Sequence, residues 1–235
     1  MAERSQNWQQ PPNFLILIVI EQYDPEALAD TIDSLAQQFY SQWSLGIIAD
    51  FPCPMPEIDE LAMVHWLQIE GNMYEGMNRA LNELEVFDWV TVINAGVLLV
   101  PQALSSCVDY INLKPEWSFI YTDEDTYRVA ADNFSEQSYE FINPMFRPEI
   151  NLDLLRSTPY IGNFCWTRKS ALDEFGGYCA LAGVLHWDMA LHIVDRLGLG
   201  AVGHIPDVLL HNPAIQETEA LHKYLFSAGK VVLEQ

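Results

Sequence analysis

Apolar runs of strand length alternate with amphipathic helical patterns along the first half of the chain. Residues 14–20 form an unbroken run of β-branched residues, leucines and one phenylalanine, which is typical of a strand buried on both faces. The same reading predicts further strands over residues 45–49, 63–69, 89–93 and 117–121. Strands at this spacing, separated by helices or loops, indicate a parallel or mostly parallel sheet with right-handed crossovers.

The segments between the strands carry helix signals. Asp24 and Pro25 have the residue types of an N-cap and a first helical position, and apolar side chains then recur every three or four residues as far as Phe39. In such a fold, ligands bind outside the carboxyl ends of the strands. The residues at those ends are Tyr23, Asp50, 94–96 and 123–125.

The second half of the chain is less regular. We expect an extended link over residues 143–150, short strands over 164–167 and 201–205, and an extended segment over 208–211 that returns toward the site. Helices are predicted over residues 152–156, 170–175 and 187–196. The predicted organisation is a polar leader (1–13), one α/β domain (14–213) and a C-terminal helical segment (214–235). That segment has no cap at Gln235, which suggests the start of a further segment in a larger protein.

Composition narrows the possible partners. Apolar residues make up 50% of the chain, and 11 Lys and Arg against 33 Asp and Glu give a formal charge of −22. A surface that acidic repels polyanions, so nucleic acid is not an expected partner. No apolar run approaches the length of a membrane span, and the N-terminus does not resemble a secretory signal. The four cysteines are widely spaced, which favours reduced thiols in a cytoplasmic protein.

Several short motifs occur in an order that is specific as a set. They are residues 20–24 (IEQYD), 38–43 (QFYSQW), Asn78, 120–125 (IYTDED), 146–149 (FRPE), 153–155 (DLL), 160–162 (YIG), 175–178 (FGGY) and 205–211 (IPDVLLH). Together they resemble the family 2 glycosyltransferases with the GT-A fold, especially the branch that builds bacterial surface polysaccharides. The resemblance extends from residue 14 to residue 211. It implies a Rossmann-like α/β/α sandwich that transfers a sugar from a nucleotide-sugar donor to a glycan or lipid-linked acceptor.

The chain departs from this family at its catalytic positions. The family's Asp-x-Asp metal motif corresponds to residues 94–96, where Asn94 offers a neutral amide and Gly96 has no side chain. The family's acidic pair ahead of its late helix corresponds to Leu185 and His186, and the arginine of that helix is His192. The resemblance therefore implies degenerate metal and base motifs.

The resemblance suggests a role for each candidate, and a structural role remains the alternative. His186 is the candidate general base, or a histidine at a helix entry, and Asp188 a second catalytic candidate, or a first-turn acid that favours the helix. Tyr23, Asp50, Asn94, Asp123 and Asp125 are the candidate nucleotide and donor contacts. The arginines at 79, 147 and 168 are interpreted as surface charges rather than as a diphosphate clamp.

Two functions remain open at this point. The first is a glycosyltransferase of full or reduced activity. The second is a catalytically inactive GT-A module that binds a partner protein, a glycan or a neighbouring catalytic domain. We expect no metal in the ligand-free protein. With a nucleotide sugar bound, Mn²⁺ or Mg²⁺ would find Asp125 and His211 as the candidate ligands.

Overall fold

The computed structural model describes residues 8–55, 58, 61–84, 86–129, 138–214 and 219–234. The strands are β1 (Phe14–Val19), β2 (Trp43–Ala49), β3 (Val64–Gln68), β4 (Trp89–Ile93), β5 (Leu98–Leu99), β6 (Phe119–Val129), β7 (Tyr139–Met145), β8 (Cys165–Arg168) and β9 (Val202–Pro213). The helices are α1 (Pro25–Ala36), α2 (Met73–Glu83), α3 (Ala103–Leu113), α4 (Leu152–Leu155), α5 (Lys169–Phe175), α6 (Leu185–Leu197) and α7 (Glu219–Leu233), with a 3₁₀ turn at Leu199–Ala201.

The strands form one mixed, largely parallel sheet. Its order is β3-β2-β1-β4-β8-β6-β9-β5, and β7 pairs with β6 outside this path. The pairs among β1 to β4 are parallel, as is β6 with β9, whereas β8 joins β4 to β6 through two antiparallel pairs. This arrangement confirms the predicted α/β fold with a mostly parallel sheet.

Hydrophobic layers cover both faces of the sheet, which is why β1 is apolar throughout. Leu15 and Leu17 face a layer that contains Met77 of α2 and Trp187 of α6. Phe14, Ile16 and Ile18 face the opposite layer, built from α1 and α3. Each face of the strand is therefore removed from water, and burial of that apolar surface is the main stabilising contribution.

The helix that follows β1 begins as predicted. The Asp24 side chain accepts hydrogen bonds from the backbone N–H groups of Glu26 and Ala27, and Pro25 occupies the first helical position. These contacts satisfy amide groups that would otherwise have no partner at the start of the helix.

Strand β6 is longer than the pattern predicted. The expected strand ended at residue 121, but the structure continues it to Val129 and pairs it with β7, part of which was expected as an extended link. The four consecutive polar residues 122–125 suggest a strand end when only hydropathy is considered. In the structure they are buried and stay in the strand. The Thr122 hydroxyl donates to the carbonyl oxygen of Asp123, and neighbouring segments supply partners for the three carboxylates.

Strand β9 joins two segments that were predicted separately. Ile205 lies opposite Thr122 and Val208 lies opposite Asp123, so Pro206 and Asp207 form an irregularity in the pairing with β6. A proline is tolerated at such a position because it removes no ladder hydrogen bond.

Both ends of the described chain pack against the domain. Residues 1–7 of the predicted leader lie outside the described residues. Residues 8–13 contact the domain: Trp8 donates a hydrogen bond to Asp109 at 2.7 Å, and Asn13 donates its backbone N–H to Asp88 at 2.8 Å. Ala228 and Val232 of α7 are buried in the layer that contains α6. Within the described residues, no helix is both long and apolar enough to cross a membrane.

Candidate functional site

A cleft of about 910 Å³ opens at the carboxyl ends of β1 and β4. Val19, Ile93 and Asn94 line it from the strand ends, and His186 lines it from the first turn of α6. Lys230 and other residues of α7 form a further wall. The location is the one expected for ligand binding in an open α/β sheet, and the volume lies within the range of about 300–1,000 Å³ that small-molecule sites occupy.

An ion pair between Glu124 and Arg147 lies in the wall of this cleft. One carboxylate oxygen of Glu124 pairs with the guanidinium of Arg147. The other accepts hydrogen bonds from the backbone N–H of Asn163 and from the Asn212 side chain, each at 3.2 Å. Only 2% of the Glu124 side chain is exposed, so its charge is stabilised by these partners rather than by water.

Arg147 corrects one interpretation drawn from the sequence. It was taken as a surface charge, but 16% of its side chain is exposed and it lines the cleft. The sequence placed Glu124 at the same strand end as Asp123 and Asp125 but suggested no role for it. A period of two places Glu124 on the opposite face of β6 from Asp123 and Asp125, but hydropathy does not show which face meets a cleft.

Gly162 leaves the space that the ion pair occupies. A Cβ atom on Gly162 would lie 2.8 Å from Oε1 of Glu124, and the residue has a φ of +81°. Both the close approach and the left-handed backbone require glycine at this position. The Tyr-Ile-Gly motif therefore contributes to the geometry of the cleft through its glycine.

Asp123 is buried behind the cleft and does not line it. Its Oδ1 accepts hydrogen bonds from the backbone N–H of Arg147 at 2.8 Å and from Nε2 of His204 at 2.9 Å. The His204 ring stacks on Tyr121, with centroids 4.7 Å apart. Asp123 thus fixes the backbone that carries the Arg147 side chain, which is a positioning contact.

Asp125 and His211 are paired with each other across β6 and β9. Oδ1 of Asp125 contacts Nδ1 of His211, and the ring of Phe141 lies beside the imidazole at 4.2 Å between centroids. Neither residue lines the cleft. Their mutual contact occupies one ligating atom of each, so they are not arranged as independent ligands of a cation.

His186 lines the cleft and has one unpartnered nitrogen. Its Nε2 lies 2.8 Å from the carbonyl oxygen of Val92, and because a carbonyl accepts, Nε2 carries the proton. Nδ1 is therefore the atom with a lone pair, and it is buried without a hydrogen-bond partner. Burial lowers the pKa of His186 to about 4, so the ring is neutral near pH 7.

Asp188 lies in the first turn of α6 but outside the cleft lining. Burial raises the pKa of its carboxyl group, and the nearby His192 acts in the opposite direction. His192 approaches Asp188 from one turn further along the helix, at 3.7 Å. The structure does not bring Asp188 together with His186 in the cleft.

The segment after β4 has a backbone geometry that fits glycine. Gly96 has a φ of +91°, and its N–H donates to Oγ1 of Thr31 at 2.8 Å. Its carbonyl oxygen accepts a hydrogen bond from the Tyr127 hydroxyl. An aspartate at position 96 would be strained, because L side chains rarely adopt this φ.

The residues at this strand end do not fit a divalent cation. Mg²⁺ and Mn²⁺ prefer carboxylate oxygens, whereas Asn94 supplies a neutral amide and Gly96 supplies no side chain. Within the part of the chain that the structure describes, no group of three His, Cys, Asp or Glu side chains could hold a metal ion.

Tyr23 and Asp50 lie at the ends of β1 and β2, apart from the cleft lining. The ring of Tyr23 packs edge-on against Phe51 at 5.4 Å, and Phe51 packs against Trp66 at 5.6 Å. Asp50 is exposed beside this aromatic group. Their roles as nucleotide contacts stay predictions.

The other two arginines differ from Arg147. Arg168 donates hydrogen bonds to the carbonyl oxygens of Trp117 and Pro115, and its guanidinium lies over the ring of Trp89 at 4.8 Å. Arg79 is exposed on α2. Arg168 therefore has a structural role, and neither arginine lines the cleft.

Solved structures of other proteins superpose on most of this chain. The chain superposes on GalNAc-T7 bound to UDP, GalNAc and Mn²⁺ with a TM-score of 0.65 and 12% identity, covering 95% of this chain and 48% of that one. It superposes on S. aureus TarS 1–349 in complex with UDP with a TM-score of 0.62 and 14% identity, covering 94% and 65%. The mannosyltransferase PcManGT from Pyrobaculum calidifontis, in complex with GDP-Man and Mn²⁺, gives 0.63 and 12% over 100% and 70%.

These superpositions decide the fold. It is the fold of the GT-A glycosyltransferases. At such low identities the likeness concerns the GT-A architecture alone, and the ligands belong to those other proteins.

Sequence comparison finds distant relatives that are much longer than this GT-A domain. "Uncharacterized protein y4gI" of Sinorhizobium fredii (strain NBRC 101917 / NGR234) is 25% identical over 250 residues, covering 100% of this chain and 26% of the relative. O-antigen biosynthesis protein RfbC of Myxococcus xanthus is 25% identical over 194 residues, covering 78% and 14%. No protein-family model matches the chain. The chain thus spans about a quarter of one relative and a seventh of the other.

Proposed function

We propose that this chain is a glycosyltransferase domain of surface-polysaccharide assembly. It would bind a nucleotide sugar at the cleft and transfer the sugar to a glycan or lipid-linked acceptor, slowly and without a tightly held divalent cation. The observation that carries the proposal is the 910 Å³ cleft at the carboxyl ends of β1 and β4, in a fold shared with nucleotide-sugar enzymes. The distant O-antigen biosynthesis relative supports the choice of pathway class.

His186 is the residue best suited to move a proton in this proposal. In an inverting transfer, Nδ1 would take the proton of the acceptor hydroxyl as that oxygen attacks the anomeric carbon, and the nucleoside diphosphate would leave. The low pKa of the ring keeps Nδ1 unprotonated near pH 7 but makes it a weak base, which agrees with the slow transfer proposed here. His186→Ala is expected to lower turnover about 10²-fold or more.

Calorimetric titration tests the binding part of the proposal. UDP, UDP-GlcNAc and GDP-mannose are titrated into the protein with and without Mn²⁺, and a coupled assay then follows release of the nucleoside diphosphate. We expect weak binding that Mn²⁺ improves little, because Asn94 and Gly96 supply no carboxylate. Tight, Mn²⁺-dependent binding would contradict the proposal that the protein acts without a tightly held divalent cation.

A second candidate function is a catalytically inactive GT-A module that binds a glycan, a partner protein or a neighbouring catalytic domain. Two observations favour it: Gly96 has a backbone that disfavours a metal-ligating side chain, and the Glu124–Arg147 pair leaves that guanidinium already neutralised. Ligand binding without release of nucleoside diphosphate, in wild type and in His186→Ala alike, would support this candidate.

A further inference from the structure

His204 is a buried histidine of β9 that lies outside the cleft lining. Only 4% of its side chain is exposed. Its Nε2 lies 2.9 Å from Oδ1 of Asp123, and its Nδ1 lies 3.3 Å from Oε1 of Glu149. Both ring nitrogens therefore face carboxylates, one buried on β6 and one on the link between β7 and α4.

The protonation of the His204 ring follows from these two partners. An ionised carboxylate only accepts hydrogen bonds, so each ring nitrogen must carry a proton to bond to its partner, and the ring is then an imidazolium. His186 is a comparison within the same chain: its ring contacts the carbonyl oxygen of Val92, and burial keeps it neutral near pH 7. Burial opposes a charge on His204 as well, but here two negative groups offset that cost.

The Asp123 carboxylate connects this ring to the cleft wall. The same Oδ1 that contacts His204 accepts a hydrogen bond from the backbone N–H of Arg147 at 2.8 Å. The His204 ring stacks on Tyr121, whose hydroxyl donates to the carbonyl oxygen of Pro148 at 2.6 Å. Residues 147–149 are thus each held by His204 or by a residue in contact with it, and Arg147 lines the cleft.

The other titratable groups near this ring do not supply a positive charge. They are Tyr121, Tyr160 and Cys165 on one side, and Tyr110, Asp109 and Asp207 on the side of Glu149. Burial raises the pKa of Tyr121, of Tyr110 and of the Cys165 thiol, so all three stay protonated near pH 7. In the part of the chain that the structure describes, the His204 ring is therefore the cationic partner of the buried Asp123 carboxylate.

We propose that His204 is an imidazolium that positions the cleft wall at Arg147 by holding Asp123 and Glu149 at the same time. When the ring loses a proton, the proton leaves Nδ1, because the buried Asp123 carboxylate retains the one on Nε2. Nδ1 then presents a lone pair to Glu149, whose side chain is 83% exposed and can turn into solvent. The link that carries Arg147 is then held by fewer contacts, so the cleft wall loosens as pH rises. This pH response goes beyond the proposed function and does not depend on what the cleft binds.

NMR of the wild-type protein tests the protonation. The ¹⁵N resonances of the imidazole rings are followed from pH 5.5 to 8.5. At pH 5.5 both nitrogens of His204 should carry protons, and as pH increases Nδ1 should lose its proton while Nε2 keeps its own. His186 is the internal reference and should show one protonated nitrogen throughout, because burial lowers its pKa to about 4.

Hydrogen exchange tests the connection to the cleft wall. The protection factor of the Arg147 amide, which is corrected for intrinsic exchange, should fall about threefold between pH 5.5 and 8.5. This is the scale of a partly exposed ion pair. The amide of Leu17 in β1 is the reference, and its protection factor should change less over the same range.

Matched variants isolate the contribution of Glu149. Glu149→Gln keeps the size of the side chain but removes its charge, so Nδ1 of His204 should lose its proton about half a pH unit lower than in wild type. The Arg147 amide should then be about threefold less protected already at pH 5.5. Glu140→Gln is the control, because Glu140 is an exposed carboxylate that pairs with Arg128. It should leave both measurements unchanged.

Three results would each overturn this inference. They are a single protonated nitrogen on His204 at pH 5.5, an Arg147 amide whose protection follows that of Leu17 across the pH range, and a Glu149→Gln variant that behaves like Glu140→Gln. None of the measurements uses a ligand. Their failure would therefore leave the nucleotide-sugar proposal standing, and failure of that proposal would leave the role of His204 standing.

Discussion

The ends of β1, β2 and β4 differ from the β6–β9 region in how far their polar side chains are buried. At the ends of β1, β2 and β4, Tyr23 is half-buried, whereas Asp50 and Asn94 are exposed. In the β6–β9 region, Asp123, Glu124 and Asp125 are all buried and all have partners. Similar-looking polar residues after a hydrophobic run therefore have different roles. The ends of β1, β2 and β4 expose polar groups to solvent. In the β6–β9 region the carboxylates bind neighbouring segments and hold them in place.

An acidic motif at a strand end is therefore not by itself a ligand site. Asp123 holds the backbone of Arg147, and Asp125 is occupied by His211. The cleft is lined by Glu124, which faces away from both in the alternation of the strand. Removing a buried partner should thus have a large effect, whereas changing an exposed strand-end residue should have little.

The largest expected effect comes from Arg147→Met. It leaves the Glu124 carboxylate buried without its ion-pair partner, which should lower the free energy of unfolding by about 3–5 kcal/mol. The measurement is urea denaturation near pH 7. Arg128→Met is the matched control, because Arg128 and Glu140 form an ion pair in which both side chains are more than half exposed. That control should lose less than about 1 kcal/mol. Equal losses in the two variants would remove the distinction between the regions.

The next effect concerns pH and His186. The pKa of this ring is about 4 in the folded protein against 6.5 in the unfolded chain, so the unfolded state binds more protons between these values. Stability should therefore fall by about 3 kcal/mol as pH decreases from 6.5 to 4, through this group alone. Urea denaturation at several pH values gives the free energy of unfolding as a function of pH. The slope of this function should be smaller in His186→Phe than in wild type.

The control for the pH experiment accounts for Asp188. Its raised pKa in the folded state changes stability in the opposite direction over part of this range, and it is present in both proteins. His65→Phe, on β3 and away from Asp188, should keep the wild-type slope more closely than His186→Phe does. If His186→Phe has the same dependence of unfolding free energy on pH as wild type, the buried His186 ring does not cause it.

A smaller effect is expected from Gly162→Ala. The new Cβ would meet Glu124 at 2.8 Å, and the φ of +81° is unfavourable for alanine. We expect a loss of about 1–3 kcal/mol in thermal or urea unfolding. Gly200→Ala is the control, because nothing lies within 4 Å of its Cβ position and its φ is not in the left-handed region. Tolerance of alanine at 162 would mean that the ion pair can shift.

The smallest effect is expected at the solvent-exposed end of β4. Asn94→Asp changes a solvent-exposed side chain beside the cleft, so the free energy of unfolding should change by less than about 0.5 kcal/mol. Urea denaturation measures this directly. A loss comparable to that of Arg147→Met would contradict the view that this strand end has no structural role for its side chains.

Local pattern was enough to predict most of the sheet. The strands near 14–20, 45–49, 63–69 and 89–93 are where the hydropathy placed them, because a strand buried on both faces must be apolar at every position. The start of α1 was readable from Asp24 and Pro25 because capping is a contact between close neighbours in sequence. Motif order likewise indicated the GT-A fold.

The cleft was only partly predictable. Asn94 and His186 line it as candidates from the sequence. Glu124 was given no role and Arg147 was interpreted as a surface charge, because their pairing joins residues 23 positions apart in the chain. The β6–β7 hairpin was missed because its buried polar residues look like a strand end until their partners are known.

Residue order is enough to establish the α/β alternation, the acidic charge and the absence of carboxylates at the end of β4. Tertiary packing sets which carboxylate of residues 123–125 lines the cleft and that Arg147 is half-buried. It also decided that His186 donates to Val92 and keeps a free Nδ1. The physical reason is that burial and hydrogen-bond partnership are set by segments distant in the chain, which no local spacing specifies.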